Sequence, residues 1–167
     1  AYRAARTADV GDLDEVVAID RRLFAMKFSP ELRNASTQVG RRLLTETVGF
    51  APSGCHRAYA ALVKVGETPG CGAVALGVTT AGLGIPAAMA LSAFCHGYLV
   101  GVLGAALRLL PLSHAQVQGI LHELQPLVAR LVTDVADRHW TKMTAFAPEL
   151  DLASIAHEVA EPRFFAS

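Results

Sequence analysis

Between Glu67 and Arg108 the chain contains no Asp, Glu, Lys or Arg, and this uncharged stretch limits the possible folds more than any other feature. A segment of this kind is buried either in a protein core or in a membrane. Gly82, Gly84 and Pro86 interrupt it, and the part before them is too short to span a bilayer. The stretch therefore predicts a hairpin of two helices, with a buried central hairpin favoured over a membrane span because polar residues and glycines lie in its second part.

The flanking segments show helical periodicity. From Asp9 to Phe28, apolar residues share one helical face: Leu13, Val16, Val17, Phe24 and Phe28. Ser29-Pro30-Glu31 has the composition of a helix start, with a hydroxyl cap followed by proline and a carboxylate. The helix that follows is predicted to bury Leu32, Ala35, Val39 and Leu43. Another helix is expected from about Cys55 to Val65, before Gly66.

The C-terminal part is also predicted to be helical. Ser113 and Gln116 form a capping box, and the apolar positions that follow extend from Val117 to Val135, with Pro126 expected to bend or split that helix. Asp151 is expected to cap a short helix from Leu152 to about Val159. The sequence contains no credible strand. We therefore expect a single all-α domain over residues 1–167, a helical bundle of about six to eight helices around the uncharged hairpin.

A strip of small residues recurs every fourth position in the second half of the hairpin: Ala93, Gly97, Gly101 and Ala105. Such a strip lets a second helix approach closely. Two interpretations remain open at this point. The strip either packs within the same chain or forms part of a subunit interface.

Charge and cysteine content restrict the function. Fifteen basic residues balance fifteen acidic ones, so no patch for nucleic acid or for an anionic membrane is expected. With 52% hydrophobic residues, a neutral chain of this kind is predicted to form an oligomer or a complex. The cysteines, Cys55, Cys71 and Cys95, are an odd set without CxxC spacing and predict reduced thiols. No secretion signal is recognisable, and a cytoplasmic protein is expected.

Signatures of catalysis and of metal binding are missing. His114 and His122 lie about 12 Å apart on one helix side, too far to share an ion. Cys55-His56 and Cys95-His96 are adjacent pairs, whose side chains point in different directions on a helix. The sequence contains no HExxH, CxxC, GxSxG or P-loop motif. We therefore predict no catalytic residue, no resident metal and no bound cofactor.

The C-terminal segment combines an arginine with two aromatic residues, Arg163-Phe164-Phe165. Arginine and aromatic side chains frequently anchor protein interfaces. The guanidinium can satisfy carbonyl or carboxylate groups of a partner, the phenylalanines can fill apolar pockets, and the carboxylate at Ser167 can pair with a basic residue. The alternative is that the phenylalanines fold back onto the core of their own chain.

Four segments in order resemble the UreF family of urease accessory proteins. The family's S-x-x-H-E and R-[L/F]-F-x-S ending is matched by Ser154, His157, Glu158, Arg163, Phe164, Phe165 and Ser167. Its earlier motifs are similar to three further segments, namely Ala25 with Glu31-Leu32-Arg33 and Gly40 to Leu44, Ala75-Leu76-Gly77 with Gly82 to Pro86, and Ala105 to Leu112. Each match is weak alone, whereas four in order are specific.

The resemblance implies an all-α component of the cytoplasmic urease maturation apparatus that is not an enzyme. Members of the family dimerise, bind an accessory protein of the UreD/UreH type, recruit the GTPase UreG and so help to deliver nickel to apo-urease. The family's C-terminal tail orders against the UreD-type partner, and its arginine corresponds to Arg163. The resemblance thus implies partner binding by His157, Glu158, Arg163, Phe164, Phe165 and Ser167, within a C-terminal helix and tail over residues 151–167.

Two features depart from the family pattern. The family's N-terminal segment, which ends in a SxGLE-like stretch, has no counterpart here, so an N-terminally truncated domain is expected. Val159-Ala160-Glu161-Pro162 replaces a run that is usually polar. Besides the scaffold, two other hypotheses are considered: a small helical membrane protein, suggested by the uncharged stretch, and a chaperone that binds nickel directly through His and Cys.

Overall fold

The computed structural model describes residues 1–50, 54–136, 138–145 and 147–159, and in these ranges the chain is helical without a strand. The helices are α1 (Tyr2–Asp9), α2 (Leu13–Ala25), α3 (Pro30–Thr47), α4 (Gly54–Lys64), α5 (Gly72–Gly82), α6 (Ala87–Leu109), α7 (His114–Ala136) and α8 (Pro148–Val159). One 3-10 turn, Trp140–Lys142, lies between α7 and α8. The predicted all-α fold is confirmed.

Helix α5 is the centre of the bundle. It packs most extensively against α1 and α3 and also contacts α2, α4 and α6. Its side chains Val74, Ala75 and Val78 are fully buried, together with core residues of the neighbouring helices: Ala4, Val16, Ile19, Leu44, Tyr59 and Val63. The uncharged sequence of α5 is therefore a consequence of its burial on all sides.

Two glycines allow other segments to pack directly on the helix backbone. A Cβ atom at Gly77 of α5 would lie 2.5 Å from the carbonyl oxygen of Ala1 and 2.8 Å from the backbone nitrogen of Ala5. A Cβ atom at Gly40 of α3 would overlap the backbone of Gly70 and Cys71, just before α5 begins. Absence of a side chain at both positions thus sets the distances of α1 and α3 from the central helix.

Two predicted helix caps, Ser29 and Ser113, are confirmed. The Ser29 hydroxyl accepts a hydrogen bond from the backbone N–H of Leu32 at 3.1 Å. Ser113 and Gln116 form the reciprocal capping box, at 2.8 and 3.2 Å. Two starts were wrong. Helix α2 begins at Leu13 with Asp12 as its cap, since α1 occupies the chain up to Asp9, and α8 begins at Pro148, so Asp151 lies inside it.

The buried face of α3 was predicted wrongly. Val39 is 64% exposed and Leu32 is also exposed, whereas the buried positions are Thr37, Gly40, Leu44 and Thr47. The reason is the contact at Gly40, because the backbone before α5 fits only against the side of α3 that lacks a Cβ atom. Phe28, predicted on the apolar face of the preceding helix, lies beyond the end of α2 and is 66% exposed.

The prediction of a buried central hairpin was wrong for α6, because most of this helix is exposed. Only 11% of its apolar window is buried, and its mean hydropathy there is 1.6. It contacts the bundle through Ala87 and Ala90 near its start and pairs with α7 through Leu103, Val117 and Leu121. By length and composition alone, α6 could cross a membrane, which is weak evidence because helices of soluble proteins meet the same criterion.

Candidate functional site

The C-terminal helix α8 is attached to the start of α3 by polar contacts. The His157 Nδ1 atom lies 3.1 Å from both carboxylate oxygens of Glu31, and the hydroxyl groups of Ser29 and Ser154 lie 2.7 Å apart. Ser29 also caps α3, so one side chain both begins α3 and holds α8. The structure therefore places His157 in a contact within the chain.

The remaining predicted tail residues lie outside the described part of the chain. Residues 160–167 include Arg163, Phe164, Phe165 and Ser167, and the side chain of Glu158 is also not described. Their assignment to partner binding stays a prediction. Sequence reasoning did not identify one feature of the neighbouring helix: exposed aliphatic side chains on α8, Leu150, Leu152 and Ile155. The sequence did contain an indication of this surface, because these apolar residues occur close together in a short helix near the C-terminus.

Helices α6 and α7 pack side by side and present a second candidate surface. This hairpin differs from the predicted uncharged hairpin, which corresponds to α5 and α6. Large apolar side chains are exposed along both helices: Met89, Phe94, Tyr98, Val100, Val102, Leu109, Ile120, Leu127 and Leu131. Exposed apolar residues are ordinary when they occur singly, but many of them on two adjacent helices are typical of a protein interaction surface.

The small-residue strip belongs to this exposed hairpin. Gly97 and Gly101 are exposed, and Ala105 is half-buried. A Cβ atom at Gly97 or Gly101 would meet no atom within 4 Å among the described residues. Packing of these two glycines within the chain, the first of the two interpretations, was therefore wrong for the part of the chain that the structure describes. The other interpretation, that the strip of Ala93, Gly97, Gly101 and Ala105 contributes to a subunit interface, stays a prediction.

A buried carboxylate organises the segment between α4 and α5. Asp20 of α2 is fully buried. It accepts hydrogen bonds from the hydroxyl of Thr68 at 2.7 Å and from the backbone N–H groups of Gly70 and Cys71 at 2.7 and 2.8 Å. The Gly70 backbone has a φ of +81°, a conformation that favours glycine. Asp20 thus has a structural explanation, and its side chain faces the core.

The cysteines and the buried histidine are in environments that oppose ionisation. Burial raises the pKa of the Cys71 thiol to about 12, with the Asp20 carboxylate contributing. Burial also raises the pKa of Cys55 and of Cys95. Burial and the nearby Arg57 lower the pKa of His56, whose Nε2 atom lies 3.0 Å from the Thr47 hydroxyl. Thiolate is the form of cysteine that binds metals, so these thiols are poorly prepared as ligands.

Metal-ligating side chains do not cluster in the described residues. No group of three or more His, Cys, Asp or Glu side chains there is arranged to hold an ion. Cys55, Cys71 and Cys95 are free in the described structure.

Comparisons with known proteins agree with the resemblance. The sequence model of the UreF family matches residues 1–125. Urease accessory protein UreF 1 of Brucella melitensis is 33% identical over 165 residues, which cover 99% of this chain and 67% of the relative. Urease accessory protein UreF of Paenarthrobacter aurescens is 33% identical over 159 residues, or 95% of this chain and 69% of the relative. The UreF of a Nostoc species is 30% identical over 165 residues, or 99% and 70%.

Proposed function

Since the chain belongs to the UreF family of urease accessory proteins, we propose that it is a non-catalytic scaffold of urease maturation. In this role it binds a UreD/UreH-type accessory protein, recruits the UreG GTPase and supports nickel insertion into apo-urease in the cytoplasm. The observation that carries the proposal is the match over nearly the whole chain to relatives named urease accessory proteins. The alternative, a small helical membrane protein, is not favoured, because the relatives are named urease accessory proteins.

The C-terminal tail is the proposed contact with the UreD-type partner. Helix α8 is held on α3 through Ser154 and His157, which gives the residues that follow a fixed starting point. Arg163 can form paired hydrogen bonds with carboxylate or carbonyl groups, and Phe164 and Phe165 supply apolar area. The exposed aliphatic side chains of α8 add further apolar area near the tail.

The exposed hairpin of α6 and α7 is the proposed homodimer interface. A helix packs most closely on another where side chains are smallest, and Gly97 and Gly101 leave open space beside α6. Phe94 and Tyr98, one helical turn apart on the same helix, are exposed beside the strip and would lose contact with water in a dimer. A symmetric pair of such surfaces is the commonest form of protein oligomer.

In this proposal nickel is the cargo of the complex. The raised thiol pKa values and the scattered histidines support transfer through the complex without a stable site in this chain. Equilibrium dialysis of the isolated chain against nickel tests this point. Tight stoichiometric binding would favour the hypothesis of a direct nickel chaperone instead.

Deletion of the last five residues tests the tail. We expect the shortened chain to retain its helical circular dichroism spectrum and its unfolding midpoint but to lose co-purification with a UreD-type partner. Replacement of Arg163 by Ala should weaken the same interaction strongly, because a buried arginine anchor typically contributes about 2 kcal/mol or more. The matched control is Arg138→Ala, an exposed arginine after the end of α7, and this variant should co-purify as the unchanged chain does. Retained co-purification of the deletion variant would contradict this assignment.

The dimer is tested separately by Gly97→Leu and Gly101→Leu. Because both side chains would point into open space, the monomer should fold, whereas a close helix–helix contact would be blocked. Analytical ultracentrifugation should show a dimer for the unchanged chain and a monomer for each variant. A variant that dimerises like the unchanged chain would exclude the strip from the interface.

A further inference from the structure

A groove of about 670 Å³ lies between α3 and α4, and no described residue of α6, α7 or α8 lines it. Each helix contributes residues with the spacing of one helical face. Helix α3 supplies Arg41, Leu44, Thr45 and the following Val48, and helix α4 supplies Arg57, Ala60, Ala61 and Lys64. Positions i, i+3, i+4 and i+7 of two neighbouring helices thus form the two walls.

The two helices run in opposite directions along the groove. The Thr47 hydroxyl near the end of α3 lies 3.0 Å from Nε2 of His56 near the start of α4. At the other end, a Cβ atom at Gly70 would meet the side chains of both Val63 of α4 and Arg41 of α3. Arg41 and Lys64 therefore lie towards one end of the groove, and Arg57 lies towards the other end, near Val48.

The floor of the groove is aliphatic. Leu44 and Val63 are buried there, and the short side chains of Ala60 and Ala61 give the groove its depth. Val48 and Val65 are exposed at its margin. Arg57 and Lys64 are separated by about 10 Å along the axis of α4. This distance equals the distance between anchor residues at i and i+7 of a docked helix.

The charge of the groove is of one sign. Arg41, Arg57 and Lys64 are exposed, and no carboxylate is among the described residues that line the groove. None of the three forms an ion pair with another described residue, whereas Arg42, on the same helix as Arg41, pairs with Glu46. An arrangement of such cations at both ends of an apolar floor is complementary to an apolar helix face bordered by carboxylates.

We propose that the groove between α3 and α4 binds an acidic amphipathic helix of a partner protein. The apolar face of that helix lies on Leu44, Val48 and Val63, and its glutamate or aspartate side chains pair with the cations at the groove ends. An extended nucleic acid fits less well, because the chain as a whole is neutral and the cations are only three. The inference rests on the proposed scaffold role, adds a third binding surface to the tail and the hairpin of α6 and α7, and uses no residue of the tail.

The test uses a fluorescein-labelled synthetic helix of about fourteen residues, with leucines at i, i+3, i+4 and i+7 and glutamates beside them. Fluorescence anisotropy should show saturable binding to the chain. Joint replacement of Arg41, Arg57 and Lys64 by glutamate should weaken binding by about tenfold or more. The matched control replaces Arg6, Arg42 and Arg138 by glutamate, which makes the same change in net charge outside the groove and outside the hairpin of α6 and α7. It should bind within about twofold of the unchanged chain.

Two further arms test the apolar floor and the class of ligand. Val48→Asp and Val65→Asp change exposed side chains at the groove margin, so the fold should be retained while binding falls. A peptide with serines in place of leucines should bind at least about tenfold more weakly.

Absence of saturable binding, equal weakening by the control variant or equal binding of the serine peptide would overturn the proposal. Displacement of the peptide by inorganic phosphate, but not by sodium chloride of equal ionic strength, would assign the cations to a phosphate ligand and overturn it as well. None of these failures would affect the proposed role of the tail.

Discussion

The carboxylate of Asp20 lies 2.8 Å from the backbone nitrogen of Cys71, although 51 positions separate the two residues. The contact connects α2 to the residue that precedes the central helix. The same carboxylate holds Thr68 and Gly70, so it fixes the backbone that packs on Gly40 of α3. One buried side chain thus determines where α5 enters the bundle.

Replacement of Asp20 by Ala should destabilise the fold by about 3 kcal/mol or more, because each hydrogen bond to a charged group contributes about 1.5–3 kcal/mol and the buried donors lose their acceptor. Urea unfolding followed by circular dichroism measures the loss. Asp14→Ala is the matched control, since Asp14 lies on the same helix and is exposed. A loss below about 1 kcal/mol for Asp20→Ala would show that the contact has little importance for stability.

Alanine at Gly40 or Gly77 should each cost about 1–3 kcal/mol, because the new methyl group would force the neighbouring backbone to move. Gly119→Ala is the control, since Gly119 lies in α7 outside the small-residue strip. There the methyl group meets open space, and the free energy of unfolding should rise by about 0.5–1 kcal/mol through higher helix propensity. Thermal unfolding of the three variants distinguishes these effects. Equal changes at all three positions would contradict the close approaches.

These glycines also show how far the sequence could predict the fold. Capping residues and apolar periodicity identified the helices, because both are local properties of the chain. The buried face of α3 could not be predicted, because it depends on which helix packs against Gly40. Exposure of α6 was missed for a related reason: its uncharged sequence has the composition of a buried helix, and only the packing shows that few neighbours cover it.

For the candidate sites, too, the sequence predicted local features but not the contacts between distant segments. The pattern of His157 and Glu158 identified the C-terminal segment, but His157 and its contact Glu31 are 126 positions apart and left no signal in the local sequence. The groove between α3 and α4 was not foreseen either. Its cations, Arg41, Arg57 and Lys64, lie on two different helices, and only the packing of these helices places them around one apolar floor.

Acid should weaken the fold through His56. Burial and Arg57 lower the pKa of this histidine below its ordinary value of 6.5, so the folded state disfavours the protonated form. Above pH 6.5 the histidine is neutral in both states and does not weaken the fold. As the pH falls below 6.5, protonation favours the unfolded state, and the free energy of unfolding decreases. The free energy of unfolding should therefore be lower at about pH 5.5 than at about pH 7.5, and His56→Gln should reduce the difference. A difference that is unchanged in the variant would exclude His56 as its source.

Removal of the His157 side chain should loosen α8 without unfolding the bundle. Both members of the His157–Glu31 pair are about half exposed, so the contact contributes at most about 1 kcal/mol. Amide hydrogen exchange of α8 should become faster in His157→Ala, whereas exchange in α5 should not change. Ser154→Ala should have a similar effect through its contact with Ser29. Unchanged exchange in both variants would show that α8 is held by other contacts.

Urease maturation itself gives the most direct test of the scaffold. A urease-producing strain that lacks its own UreF gene is supplied with this chain, and nickel is measured in the purified urease together with its activity. We expect nickel content and activity to rise together when the chain is present and to stay low when its last five residues are deleted. Urease that remains without nickel, although the chain is folded and present in the cell, would contradict the proposed role.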